Sequence, residues 1–363
     1  MTDKKIPRLF GIKNSNRDFT QKDSWGKNQF NSSFPAALAC YLYSKNLKAV
    51  YYETNQRMEI EKNFIGIDEL FGVNPLGEKI FFSFETQYMP FQKYIFGSIP
   101  RNDLVILVNG QCVSTFEIKL VALPDNSTCD LEEKFFGVEI VVRPDTIIYL
   151  ACSFIKIFEN NLQELKNIFA SVGNSVEDWE VAEKVLLFSY EIYSTIKNLV
   201  KISYKNQIPM IIEPVWKTLG KSPRLAENCL DVFVWSNCGI LNLFMPKETD
   251  FVDDKKILPK ISRHTRTMIL LFKMLKDFCD FGKFDGKKII DKLSFNTKND
   301  KAFSSNGLRT QNLMNCSELK NPRITKNEIK NIILGGGQNL LSPERRFDAI
   351  IYNSPELFAE ENL

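Results

Sequence analysis

The chain has 363 residues, a quarter of them charged and 44% apolar, and a formal net charge of +3. That suffices for one elaborated globular domain or two ordinary ones, and no apolar run reaches the roughly 18 residues needed to span a membrane. A single histidine, His264, excludes HxxxH zinc sites, two-histidine facial triads and His-Asn-His nuclease sites. Hydrolytic chemistry here is therefore expected to use carboxylates and lysine with a hard, oxygen-liking metal.

The eight cysteines are scattered without a CxxC pair, which argues for reduced thiols and against a cysteine zinc site. The first residues, "MTDKKIPRLFGIKNSNRDF", contain no apolar signal-peptide core. A soluble cytoplasmic protein is expected. The near-neutral total hides a polarised chain. Lys255 to Arg346 holds 20 Lys and Arg against 8 Asp and Glu, a surplus of +12, whereas the remainder holds 27 against 36. A basic segment on an otherwise acidic protein suits a polyanion such as nucleic acid.

In chain order, residues 1 to 32 are polar and irregular, and "SFPAALACYLYSK" (33–45) reads as a helix with Ser33 as N-cap and Pro35 in its first turn. "KAVYYET" and "KIFFSFETQ" suit strands. "DLVILVNG" (103–110) is a buried strand ending in an Asn-Gly turn, and "CVSTFEIKLVA" (112–122) completes an antiparallel hairpin. After the strand "VEIVVRP", residues 145–169 and 176–202 show apolar residues at helical spacing. "IPMIIEP" and "LDVFVWSN" suit strands and 262–278 a helix. Residues 281–330 are polar, basic and loop-like, and "RFDAIIYNSPELFAEE" closes with a strand and a short helix. The class is α/β, in one domain (1–363) with an elaborated C-terminal half.

The stretch "FEIKLVALPD" (116–125) carries the chemistry. Strand alternation puts Phe116, Ile118 and Leu120 on one face and Glu117 and Lys119 on the other. Asp103 begins the preceding strand, with thirteen residues between it and Glu117. In the hairpin, the two acids pair at the open end. With the Ile118 carbonyl and waters they make a plausible magnesium site, where Lys119 would orient or deprotonate an attacking water. The competing reading is a surface ion pair between Glu117 and Lys119.

This Asp-x13-Glu-x-Lys pattern resembles the PD-(D/E)xK nuclease superfamily. Together with "SWGKNQFNSSFPAALACYL" and "VRPDTIIYLACS" it resembles the HindVP family of type II restriction endonucleases, over most of residues 8–160. The resemblance implies a central mixed sheet flanked by helices, with the nuclease core in residues 33–170 and DNA recognition and further core elements in 205–363. It also implies Mg2+-dependent cleavage of double-stranded DNA at a short palindrome (GRCGYC is the target tied to the family), a homodimer, and a cognate DNA methyltransferase acting on the same site. One departure is plain: the superfamily's proline before the aspartate is absent, and the sequence reads "PRND" with Pro100 three residues upstream of Asp103.

Competing motifs are weaker. Pro124-Asp125 with Glu132, Glu133 and Lys134 leaves too short a gap for two paired strands, Asp145 reads as a helix cap, and "GKS" at 220–222 lacks the first glycine of a phosphate loop. Arg263, Arg266, Arg309, Arg323, Arg345 and Arg346 are candidates for guanine or phosphate contacts, as are Lys27, Asn28 and Gln29. His264 reads as a capping or phosphate-adjacent residue. Glu53 and Glu85 are candidate third carboxylates. A structure-specific repair nuclease and a non-catalytic DNA-binding protein are the alternative functions.

Overall fold

A computed structural model describes residues 12, 14–16, 27–54, 60–121, 140–142, 144–170, 175–203, 210–214, 232–236, 241, 263–293, 295, 303–305, 328 and 332. Asn109 and Gly110 have φ of 52° and 79°, the two left-handed residues that a tight hairpin turn requires and that Asn-Gly supplies at little steric cost. They fold β4 (Asn102–Val108) back on β5 (Gln111–Val121). Leu104 pairs with Phe116, Val105 with Thr115 and Ile106 with Ser114 before a bulge shifts the register at Leu107.

Around this hairpin the sheet grows from distant sequence. β3 (Ile80–Thr86) lies along the outer edge of β4, while β1 (Ala49–Thr54) and β2 (Ile60–Ile65) form a second hairpin. β7 (Met210–Pro214) and β8 (Val232–Ser236) join the two halves, giving the order β2-β1-β7-β8-β5-β4-β3. Every ladder between these seven strands is antiparallel, which corrects the expected mixed sheet; the one parallel pairing to it among the described residues is an isolated bridge from Ser15 to Phe82 on the outer edge of β3. β8 runs antiparallel to both of its neighbours, β7 and β5, so the two halves of the sheet meet without a parallel pair. β6 (Ile140–Val142) and β9 (Phe303–Ser305) form a separate antiparallel pair.

Helices cover both faces. α1 (Lys27–Ser44) and α2 (Ile67–Phe71) pack Phe34, Leu38, Leu42 and Phe71 against Leu104, Ile106, Phe116 and Ile118. Val105, between Leu104 and Ile106, belongs instead to the larger core on the other face, as strand alternation requires. That core is built by α3 (Pro144–Ile157), α4 (Leu162–Phe169), α5 (Ala182–Leu186), α6 (Ser189–Ser203), α7 (Arg263–Phe281) and α8 (Gly286–Lys292). The result is helix, sheet and helix in three layers.

Several boundaries differ from expectation. α1 begins at Lys27, so Pro35 lies inside the helix rather than in its first turn. The run 145–169 divides at Glu159–Asn161, where Glu159 N donates to Lys156 O and Asn161 N to Phe158 O in tight turns, and the Asn161 side chain bonds Glu164 rather than continuing the helix. The run 176–202 divides likewise into α5 and α6. α7 ends at Gly282, whose φ of 73° and N–H bond to Phe278 O close the last turn. Among the described residues no helix is long and apolar enough to cross a membrane. The closing strand and helix expected near 346–361 lie outside the described residues.

Candidate active site

Continuing the β4–β5 register by one pair beyond Leu104–Phe116 sets Asp103 opposite Glu117 at the open end of the hairpin. Asp103 is half-buried, and its Oδ2 accepts from the Ile118 backbone N at 2.7 Å. Asn102, directly before Asp103, is buried. Its Oδ1 accepts from Asp103 N at 3.0 Å and its Nδ2 donates to Thr115 Oγ1 at 2.8 Å. Thr115 Oγ1 in turn donates to Leu104 O. Two buried side chains thus tie the two strands together beside the acids without any proline.

Glu117 is 8% exposed. Its face of the sheet is covered by α3, and Thr146 Oγ1 donates to Glu117 Oε1 at 2.9 Å. One turn further along the helix, the Tyr149 hydroxyl donates to Pro100 O at 2.8 Å and accepts from Tyr88 N at 3.1 Å. Burial raises the Tyr149 pKa above the usual phenol value; the nearby Cys152, Glu117 and Asp145 push the same way. The tyrosine therefore stays protonated as a donor. The carboxylate face of "FEIKLVALPD" is thus an interior face at Glu117, not a solvated one.

Lys119 lies two positions further along β5, with its backbone opposite Val234 of β8. Glu53 lies on β1, three strands from β5, or roughly 14 Å at the usual strand spacing. Glu85 flanks Asp103: β3 pairs Phe84 with Leu104 and Thr86 with Asn102, and a φ of 51° at Glu85 interrupts the ladder between them. Among the described residues, no three or more His, Cys, Asp or Glu side chains group as a metal cluster. What the hairpin offers is a pair of carboxylates with a neighbouring peptide carbonyl. This all-oxygen donor set suits a hard cation that keeps several waters.

Arg263 and His264 open α7, and Arg266 one turn later is 6% exposed, so its guanidinium presents little to a duplex. Lys27, Asn28 and Gln29 form the first turn of α1. Asp145 stands inside the first turn of α3, which begins at Pro144, rather than capping it. Arg309, Arg323, Arg345, Arg346, the 124–134 motif and the "GKS" stretch lie outside the described residues. Sequence reasoning missed Thr146, Tyr149 and the Asn102–Thr115 pair. In "VRPDTIIYLACS" Thr146 and Tyr149 fall three residues apart on one helical face, but nothing local turns that face toward Glu117.

The chain matches the family described as HindVP restriction endonuclease over residues 25–358. It is 46% identical to the type II restriction enzyme HgiDI of Herpetosiphon aurantiacus, covering 98% of each chain. It is also 46% identical to the probable type II restriction enzyme HindVP of Haemophilus influenzae, over 97% of this chain and 95% of that one. No solved structure matches. By these likenesses the protein is a restriction endonuclease, a type II site-specific deoxyribonuclease. More narrowly, the chain belongs to the HindVP restriction endonuclease family.

Proposed function

We propose that this enzyme hydrolyses phosphodiester bonds of double-stranded DNA at a short palindrome through a PD-(D/E)xK site formed by Asp103, Glu117 and Lys119. The observation that carries this reading is the bond from Ile118 N to Asp103 Oδ2, which next to the Leu104–Phe116 pair sets Asp103 beside Glu117 at the open end of one hairpin. Asp103, Glu117 and the Ile118 carbonyl would hold Mg2+, which supplies charge stabilisation at the scissile phosphate and acidifies an attacking water. In a strand the N–H and C=O of one residue point the same way, so the Ile118 carbonyl emerges on the side where its N–H meets Asp103. That bond also fixes the Asp103 carboxylate. Lys119 orients the water and offsets negative charge that develops on the phosphate.

The remaining assignments follow from the same reading. A palindrome calls for two-fold symmetry, so the enzyme acts as a homodimer in which each subunit cuts one strand. The basic segment from Lys255 to Arg346 neutralises phosphates, with Arg263, Arg309, Arg345 and Arg346 available for guanine. Family likeness favours GRCGYC as the target, protected in the cell by a cognate DNA methyltransferase. Digestion of a sequenced, unmethylated plasmid with Mg2+, followed by sequencing of the fragment ends, tests this. Discrete ends at one palindrome are expected. Ends scattered along the plasmid, or cuts only at junctions, would instead make it a structure-specific nuclease.

A further inference from the structure

The Thr146–Glu117 bond joins two side chains that are 3% and 8% exposed. A glutamate side chain has three torsions and samples several rotamers unless something holds it. Here a hydroxyl on a fixed helix does so. α3 is fourteen residues long and every residue from Thr146 to Ile155 is buried. Tyr149 ties the same helical face to Pro100 and to Tyr88. From behind, α8 packs so closely that a Cβ on Gly286 would lie 2.7 Å from the Ile148 side chain. One helix thus grips Glu117 directly and, through Pro100, the approach to the strand that begins with Asn102 and Asp103.

We propose that Thr146 is a positioning residue of the cleavage site: its hydroxyl donates to Glu117 Oε1 and holds the carboxylate in the orientation that meets the cation. This rests on Glu117 being a cation ligand. Groups that orient a metal's ligands typically change metal affinity or activity by about 10–100-fold when removed. Thr146→Val keeps the shape and removes the donor, so it should raise the Mg2+ concentration that half-saturates cleavage by about 10-fold or more. It should also weaken Mn2+ binding, measured by calorimetry without DNA, to a similar degree. Thr146→Ser keeps the donor and should restore both.

Were Thr146→Val unable to fold, Thr146→Ala and Thr146→Ser form the second comparison, since both lack the methyl and differ in the hydroxyl. A merely structural threonine would lower the unfolding temperature while leaving both metal dependences unchanged, and that result would overturn the proposal. Glu117→Ala separates the two levels of the argument. If it still cuts, the assignment of the site itself fails. If it is inactive while Thr146→Val and Thr146→Ala keep the normal metal dependence, only the role of Thr146 falls.

Discussion

The two faces of the β4–β5 hairpin do different work with alternating residues. Toward α1 and α2 it presents Leu104, Ile106, Phe116 and Ile118, all buried and apolar, with Phe71 and Phe116 ring centroids 5.4 Å apart. Toward α3 it presents Val105, and at its open end Asp103, Thr115 and Glu117, each engaged in a hydrogen bond. Burying a carboxylate without a partner is costly, so the α3 face needs donors at fixed positions, whereas the α1 face needs only volume and shape. One face supplies stability that chemistry does not draw on, and the other holds polar groups in a geometry that stability alone would not select.

Substitutions on the two faces should separate accordingly. The largest effect is expected from Glu117→Ala, which removes a cation ligand and should reduce plasmid cleavage on the order of 10³-fold while leaving the unfolding transition near its normal position. Phe116→Ala, one residue away on the opposite face, should do the reverse. Chemical denaturation should show a loss of about 3–5 kcal/mol, with cleavage per folded molecule retained. Loss of cutting in a still-folded Phe116→Ala protein would break the division between the faces.

The smallest effect is expected at a carboxylate outside the sheet. Glu159, just past the end of α3, is paired with Lys156 and Lys93, and those hydrogen bonds lower its carboxyl to about 2. A depressed folded pKa contributes stability that is present above the unfolded value of about 4.3 and is lost as pH falls toward 2. Glu159→Gln should therefore be less stable than the native chain at neutral pH by less than about 1 kcal/mol. Denaturation curves recorded between pH 6 and pH 2 should converge toward the acid end, using roughly the same pKa window.

What could be read from the sequence was what is local. The Asn109-Gly110 turn specifies a hairpin within a few residues, but counting from Val108–Gln111 alone sets Asp103 opposite Phe116, and the bulge at Leu107 is what brings it to Glu117. The pairing of β5 with β8 joins residues more than a hundred positions apart, and no turn chemistry announces it. For that reason the sheet's antiparallel sense escaped a reading based on family likeness. Thr146 was hidden for another reason. A threonine in a first helical turn ordinarily bonds nearby backbone, and its reach across to Glu117 exists only after the helix has docked. Pro35 shows the opposite failure: a strong local signal for a helix start is overridden, and α1 runs through it from Lys27.

Calorimetric titration of Mn2+ into the native chain, Asp103→Ala and Glu117→Ala tests the paired-carboxylate site most directly. Saturable binding to the native chain that is lost in both variants, with each still folded, is the predicted result. Binding of equal affinity in all three proteins would contradict it.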